Sequence, residues 1–507
     1  MNIAKPTNSR PMPEELTRNP EAILAFLKEV YPFNELNESE ARVIANILTP
    51  FEYKTSELVF SAGDPSGCAF IVQSGRLAFE KKGYITGYYH SRDVLGERRL
   101  IDGMPRTATV WAEEPSVLLK ITNKDLENLA LVPQETCLKV YKLLSRLASS
   151  SEHEEHRLYS EMDVLLVQDG GCAPGYNSVT AYITEYLESA GRRVFVAAQG
   201  FKSLVSGKRD DFRCLVYSFA LYRQIEHIHG VIFAPPLREA RGADFRTERY
   251  KDFKLLENQK RAAENIIQKK VRVLVGIGGN GTLEGIKALA KLLPKNIQVF
   301  FIPVTIDSDV SGTECIGQHT GVEVGAEKIR CYMADARTHN RCYIIELMGA
   351  SGGFHALHSC LGAGAHLAVL PSTNYAPADI ARAIKNRSST VIVVAEGYKA
   401  KERKEKGSTL NAAEYLYEEL KAAGLETKQR VICEGFSRDV RGARPNNMDM
   451  TLAQRMARKL TELVQEGKTQ MMPAVLAGKE YAIPFSEIQT DNTVDRDLAL
   501  LANRLSI

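Results

Sequence analysis

The chain has 507 residues, enough for two or three separately cored domains. With 44% hydrophobic and 25% charged residues it has the make-up of an ordinary globular protein, which excludes a disordered or membrane-embedded one. Lys plus Arg number 65 against 62 Asp plus Glu, and the formal charge of +3 supplies no global field for nucleic acid and calls for no membrane surface. Any anionic ligand must be held by local clusters. Nine cysteines are scattered singly without a CxxC pair, which suits a reducing compartment. No run of about 18 apolar residues occurs, the opening MNIAKPTNSRPMPEE has no signal-peptide core, and the expected location is the cytoplasm.

In chain order, residues 1–18 are Pro-rich and polar and read as a loose arm. Helical spacing covers about 19–30 and resumes at Ser39/Glu40 with one apolar face. From Glu52 to Ile121 the pattern becomes short β-like runs (ELVFSAG, CAFIVQSG, RLAFEKKG, ITGYYH, TATVWA, VLLKIT) broken by Gly-Asp, Ser-Gly and Lys-Gly turns. That predicts an N-terminal β jelly roll with flanking helices over 19–146. The polar segment 147–160 reads as the connection between modules, with His153 and His156 as solvated charges and not a metal site. Beyond Met162, apolar strands at 163–168, 192–198, 271–278, 299–305, 342–349 and 390–397 alternate with helical patterns at 178–190, 253–269, 282–293, 318–334 and 446–464. Such alternation predicts βαβ units and buried parallel sheets, with two α/β lobes across a cleft over 161–507.

Within the first module, VLGERRLIDGMPRTATV (94–110) carries the richest local pattern. A cyclic phosphate needs backbone N–H groups and an arginine, and a ribose hydroxyl suits a carboxylate. The window resembles the phosphate-binding cassette of cyclic-nucleotide-binding domains, over about 31–145, in its Gly-Glu, short helical insert, Pro-Arg and Thr-Ala. The resemblance implies that Glu97 holds the ribose hydroxyl and Arg106 the cyclic phosphate, with Gly96 and Thr107 beside them. The implied effector is cAMP, cGMP or another phosphorylated compound. Arg98 and Arg99 depart from the small or apolar residues usual there.

Four windows of the second module point to phosphoryl transfer. QDGGCAPGYNSV (168–179) and VGIGGNGTLEGI (275–286) each join a strand to a helix through glycines, which lets a phosphate approach backbone N–H groups. FIPVTIDSDVSGTE (301–314) sets Asp307 and Asp309 after an apolar strand, and VICEGFSRDVRGARPNNMD (431–449) holds Arg438, Arg441 and Arg444. In this order, with GGxxPGxN, GG[D]GT, TIDxD, ExMG, AEG and RGxxP, the windows resemble the phosphofructokinase superfamily over about 161–507.

That resemblance implies transfer of a phosphoryl group to the 1-hydroxyl of fructose 6-phosphate or a related phosphosugar. Asp307 would be the base, Asp309 would stand in the Mg²⁺–water network, and Arg441 would stabilise the transferring group. Gly171 and Cys172 fall in the first phosphate turn, Gly279, Asn280, Gly281 and Thr282 in the nucleotide loop, and Arg241 at the donor phosphate. Thr305, Met348, Gly349, Glu396 and Arg438 fall at sugar-contacting places. Arg341 and Arg430 correspond to arginines that reach a sugar phosphate in a neighbouring subunit, implying a homo-oligomer, a tetramer or a dimer. Pyrophosphate-dependent relatives place an aspartate at Gly281 and a lysine at Val304; both are absent, so ATP is the implied donor with GTP as alternative. Other departures are Asn280 for an aspartate that organises magnesium, Ala350 for an arginine, Ser308, and Phe436 or Arg438 where a histidine is expected. They leave two readings open: a cyclic-nucleotide-regulated kinase, or a weakened or inactive nucleotide- and phosphosugar-binding regulator.

Overall fold

The computed structural model describes residues 19–81, 84–217, 232–349, 352–436, 438–490, 494, 496–505 and 507. The expected arm at 1–18 and Ala350 lie outside the described residues, as do the side chains of 149–157, His153 and His156 among them. The chain divides into two compact units, Met1–Glu161 with Arg213–Ala234, and Met162–Phe212 with Pro235–Ile507.

In the first unit, two four-stranded antiparallel sheets form. One runs Thr49–Tyr53, Ser116–Thr122, Cys68–Ser74, Val94–Leu95, and the other Leu58–Phe60, Thr109–Ala112, Leu77–Lys81, Tyr84–Tyr89. Strand Cys68–Ser74 is apolar along most of its length because both of its faces are covered. Phe70 and Val72 turn into the core between the sheets with Leu77, Phe79 and Leu118. Ala69 and Ile71 turn the other way, under the helices Pro20–Leu27, Glu38–Ile47 and Gln134–Ser160. Helix Glu38–Ile47 starts on a capping box, Asn37 accepting from Glu40 N while the Glu40 carboxylate accepts from Asn37 N.

Three features differ from the sequence reading. The stretch 147–160, expected as the connection between modules, is helical: it is the second half of one 27-residue helix, Gln134–Ser160. The first strand, Thr49–Tyr53, went unread because Pro50 interrupts its pattern. Residues 213–234 fall with the first unit, where Ile232–Phe233 pairs in parallel with Cys214–Leu215.

The second unit is built on two sheets. In one, strands Val194–Ala197, Val164–Asp169, Val273–Gly278, Gln298–Pro303 and Met471–Leu476 lie parallel, and Lys479–Pro484 closes the edge as an antiparallel hairpin. In the other, Leu367–Val369, Thr390–Ala395, Arg341–Leu347 and Arg430–Phe436 are all parallel. Strands Val164–Asp169, Val273–Gly278 and Thr390–Ala395 are buried at every position, as expected of strands covered by helices on both faces. Helices Gln318–His339 and Phe354–Ala363 pack on each other and on the second sheet. Ligands of open parallel sheets sit beyond the carboxyl ends of the strands, and that is where the glycine windows fall.

Ile71 is fully buried at the seam between helices and sheet. Ile71→Ala is expected to lower the stability of the first unit by about 2–5 kcal/mol. Amide exchange of Cys68–Ser74 in the full chain reads this loss; unchanged protection would show that the helices do not share that core.

Candidate functional site

Strand pairing aligns Asp169 with Gly278 and Gly278 with Pro303, so three strands of the first sheet end at one level. The turns beyond them are tied together: Thr282 Oγ1 and Tyr176 Oη both donate to the Asp169 carbonyl, at 3.0 and 2.8 Å. A Cβ on Gly278 would come within 2.4 Å of that same carbonyl, so only glycine allows the two turns to close. Helices Tyr176–Ser189, Asn280–Leu292 and Phe354–Ala363 begin at Gly175, Gly279 and Gly353 without a side-chain cap, leaving first-turn N–H groups for a ligand. Asn280 opens its helix, and around Gly281 there is open space.

Two guanidinium groups converge on the first turn. A Cβ on Gly171 would meet Arg249 Nη2 at 2.5 Å and Arg441 Nη1 at 2.7 Å. Arg441 is fixed by three contacts: Nη1 donates to Cys172 O at 3.2 Å, Nε reaches Met348 Sδ at 3.1 Å, and Cys172 Sγ donates to Arg441 O at 3.2 Å. Arg241 instead donates from Nη1 to Gly442 O at 3.3 Å. Its loop is anchored by Asn177, which exchanges two 3.0 Å bonds with Asp244.

The carboxylates stand around these cations. After strand Gln298–Pro303, Thr305 N donates to Ile316 O at 2.9 Å and Asp307 N to Thr305 Oγ1 at 3.1 Å, which fixes the turn. Ser308 sits at φ 49°, in the left-handed region, with its hydroxyl on Gln318 Oε1 at 3.0 Å. Asp307 and Asp309 each keep one buried carboxylate oxygen without a partner among the described residues. Burial pushes the Asp307 carboxyl up, and Arg441, His355 and Arg249 pull it back. Asp309 is pushed up to about 6 by burial and by Asp307. Glu396 follows strand Thr390–Ala395, its N–H on Leu347 O at 2.9 Å, so it leaves the second sheet beside Met348 and Gly349. Burial and then Asp307 raise it, and Arg441 offsets them in part.

Other sequence-predicted residues lie elsewhere. Arg341 and Arg430 are register partners at the start of their strands, whereas Met348 follows the end of the same seven-residue strand. That separates them from Met348 by about 20 Å. Arg341 Nη1 bonds Asp335 Oδ2 at 2.7 Å and Tyr343 Oη at 3.1 Å. Arg438 is exposed on the four-residue helix that carries Arg441, while Phe436 is buried and stacks on Tyr332 at 6.3 Å. Sequence reasoning missed Arg249, Asp169 and His355. Asp169 was legible as the acid ahead of Gly-Gly; Arg249 and His355 sit in no motif and are brought in by the fold.

In the first unit, Gly96 lies at φ +78° and a Cβ there would fall 2.2 Å from Arg106 Nη1. Arg106 is 5% exposed, with Nη2 on Cys68 O at 2.7 Å, Nη1 on Gly96 O at 3.4 Å and its guanidinium 4.3 Å from the Phe60 ring centre. These partners are uncharged, and its Nε has none among the described residues. Glu97 opens the helix Glu97–Asp102; burial pushes its carboxyl up, while its own backbone N–H, Arg98 and Arg106 oppose that. Thr107 is exposed. A buried cation without a carboxylate partner suits an anion.

Asp169 is 8% exposed, and burial raises its carboxyl to about 7 from 3.8, with the Phe201 N–H and Arg249 opposing. The folded chain therefore keeps a proton that the unfolded chain loses, and stability falls as pH rises from about 4 to about 7. Asp169→Asn is expected to remove up to about 4 kcal/mol of that fall. Denaturation midpoints across the window test it; equal slopes in both proteins would refute it.

Residues 163–464 match the family model "Phosphofructokinase" and residues 50–131 match "Cyclic nucleotide-binding domain". The chain is similar to the ATP-dependent 6-phosphofructokinase of Aquifex aeolicus (strain VF5), 29% identical over 353 residues, covering 68% of this chain and 100% of the relative. A 29% identity over 350 residues to the Thermotoga neapolitana protein of the same name covers 68% and 99%. Among solved structures, Pichia pastoris phosphofructokinase in the T-state gives a TM-score of 0.53 at 22% identity, over 64% of this chain and 35% of that one. A pyrophosphate-dependent phosphofructokinase from Nitrosospira multiformis gives 0.53 at 17%, over 68% and 91%. No helix among the described residues is long and apolar enough to cross a membrane.

Proposed function

Because this chain belongs to the phosphofructokinase family, we propose that it moves the γ-phosphoryl of ATP to the 1-hydroxyl of fructose 6-phosphate or a related phosphosugar. A cyclic nucleotide held by its first unit would govern that transfer. The observation that carries this reading is the meeting of Arg249 and Arg441 over Gly171, with Asp307 in the field of both.

In this reading Asp307 accepts the proton of the attacking hydroxyl; burial raises its carboxyl and so strengthens it as a base, and Arg441 opposes that rise. Arg441 and Arg249 stabilise charge on the phosphate groups, and the uncapped first turn after Gly279 donates backbone N–H groups to the donor. The partnerless oxygens of Asp307 and Asp309 fit a hydrated cation, with the Asn280 amide as a neutral acceptor; Mg²⁺ supplies charge neutralisation of the phosphates when bound. Glu396, Met348, Gly349 and Thr305 frame the sugar. ATP is preferred to GTP on the names of the relatives, which are ATP-dependent enzymes. Arg341 and Arg430, at the far end of their strands, are assigned to the sugar phosphate of a neighbouring subunit in a tetramer or dimer.

A second reading rests on Asn280. Loss of that negative charge weakens cation binding, and the second unit then reports nucleotide or phosphosugar occupancy without turnover. Calorimetry with phosphosugar, beside an activity assay of Asn280→Asp, separates the two.

The deciding experiment measures ADP formation from Mg-ATP with a panel of phosphosugars, with and without cAMP or cGMP. Sugar-dependent turnover is expected, reduced about 10²- to 10⁴-fold in Asp307→Asn. In Arg106→Leu the response to cyclic nucleotide is expected to vanish while basal activity stays. Absence of sugar-dependent ADP formation under every effector condition sinks the kinase reading.

A further inference from the structure

His355 is fully buried in the first turn of helix Phe354–Ala363. Both of its ring nitrogens meet carbonyl oxygens: Nδ1 lies 3.1 Å from Met348 O and Nε2 lies 2.7 Å from Gly321 O. A neutral imidazole has one N–H and one lone pair, so it can donate to only one of them. The other nitrogen would then set its lone pair against a carbonyl oxygen at hydrogen-bond distance, inside a core that no solvent reaches. The pairing is tight on the far side as well. A Cβ on Gly325 would fall 2.9 Å from Nε2, so helix Gln318–His339 reaches the ring only because position 325 is glycine.

We infer that His355 is a positioning residue that carries both imidazole protons in the folded protein, one N–H holding the Met348 carbonyl and the other the Gly321 carbonyl. Met348 in turn receives Arg441 Nε on its sulfur. The ring therefore links helix Gln318–His339 to the residue against which Arg441 is set. The groups that bear on its charge can be named for each element around it. Burial is the largest effect and, with Arg441 from the helix Arg438–Arg441, leaves the imidazole below its usual range, so the second proton rests on the two carbonyl contacts and not on the charges around the ring. The two carbonyls and the Asp307 carboxylate push it up. On its own helix His358 lies close enough to interact, and His358 interacts in turn with His319 at the start of helix Gln318–His339. Among the described residues, Asp307 is the carboxylate whose charge bears on the ring.

The consequence for turnover rests on the kinase reading above; the protonation state does not. Nitrogen NMR of the full-length protein labelled at histidine, with the His355 signals identified by their loss in His355→Gln, reads the ring directly. Two protonated nitrogens at neutral pH are expected. A single protonated nitrogen there overturns the inference, whether or not the protein turns over a phosphosugar. Where turnover is found, kcat of the wild type is expected to fall as pH rises and His355 loses its second proton. His355→Gln is expected to lack that limb, with kcat lower by about tenfold at its plateau. The same alkaline limb in both proteins also overturns the inference. A wild type without any turnover removes the kinase reading alone and leaves the NMR result to decide.

Discussion

Two guanidinium groups, those of Arg249 and Arg441, share the space over Gly171, where a single Cβ would collide with both. Much of the second unit follows from holding them there. Like charges this close repel, and the structure offsets the repulsion with neutral acceptors on one side and carboxylates on the other. Cys172 and Met348 grip Arg441 from two different sheets' turns. Asp307 lies in the field of both guanidinium groups, and its burial, which favours the neutral acid, is countered first by Arg441. The cations therefore bear on the state of the acid.

The same device occurs in the first unit with one cation. Gly96 lets Arg106 close to a distance that any side chain would block, and the guanidinium is folded onto backbone carbonyls and the Phe60 ring. Its partners are neutral there, whereas the second unit surrounds its arginines with acids. Both arrangements hold positive charge in place within the fold, which would reduce the reorganisation that binding an anion requires.

The parallel sheets divide the second unit's arginines by strand direction. Arg441, Met348 and Glu396 follow strand ends, and Arg341 with Arg430 stand at strand starts, paired by register. A chain cannot bring both groups to one ligand within a single seven-residue strand. Arg341 meanwhile is held by Asp335 and Tyr343 on its own chain, so an anion that recruited it would compete with that pair.

Much of this was legible in the sequence, and for a definite reason. Fully buried parallel strands need unbroken apolar runs, and phosphate turns need glycine where backbone approaches backbone, so Val164–Asp169, Val273–Gly278, Gly171 and Gly279 announce themselves locally. Gly96 and Arg106 did so too, because the cassette is contiguous. The tertiary structure alone decided what depends on side chains far apart in the chain. Arg249 belongs to no pattern and acquires a role by lying over Gly171. His355 sits on an ordinary helix face and differs from His358, one turn away, in being fully buried with a carbonyl at each ring nitrogen, which the packing of two helices decides. The stretch 147–160 shows the same division: its polar composition does not say whether it is helical, and the buried Leu144 and Leu147 at its start belong to a helix that runs on through it. Sequence records the demands that a residue places on its neighbours in the chain; burial, charge pairing and the orientation of a ring are settled by neighbours that only folding supplies.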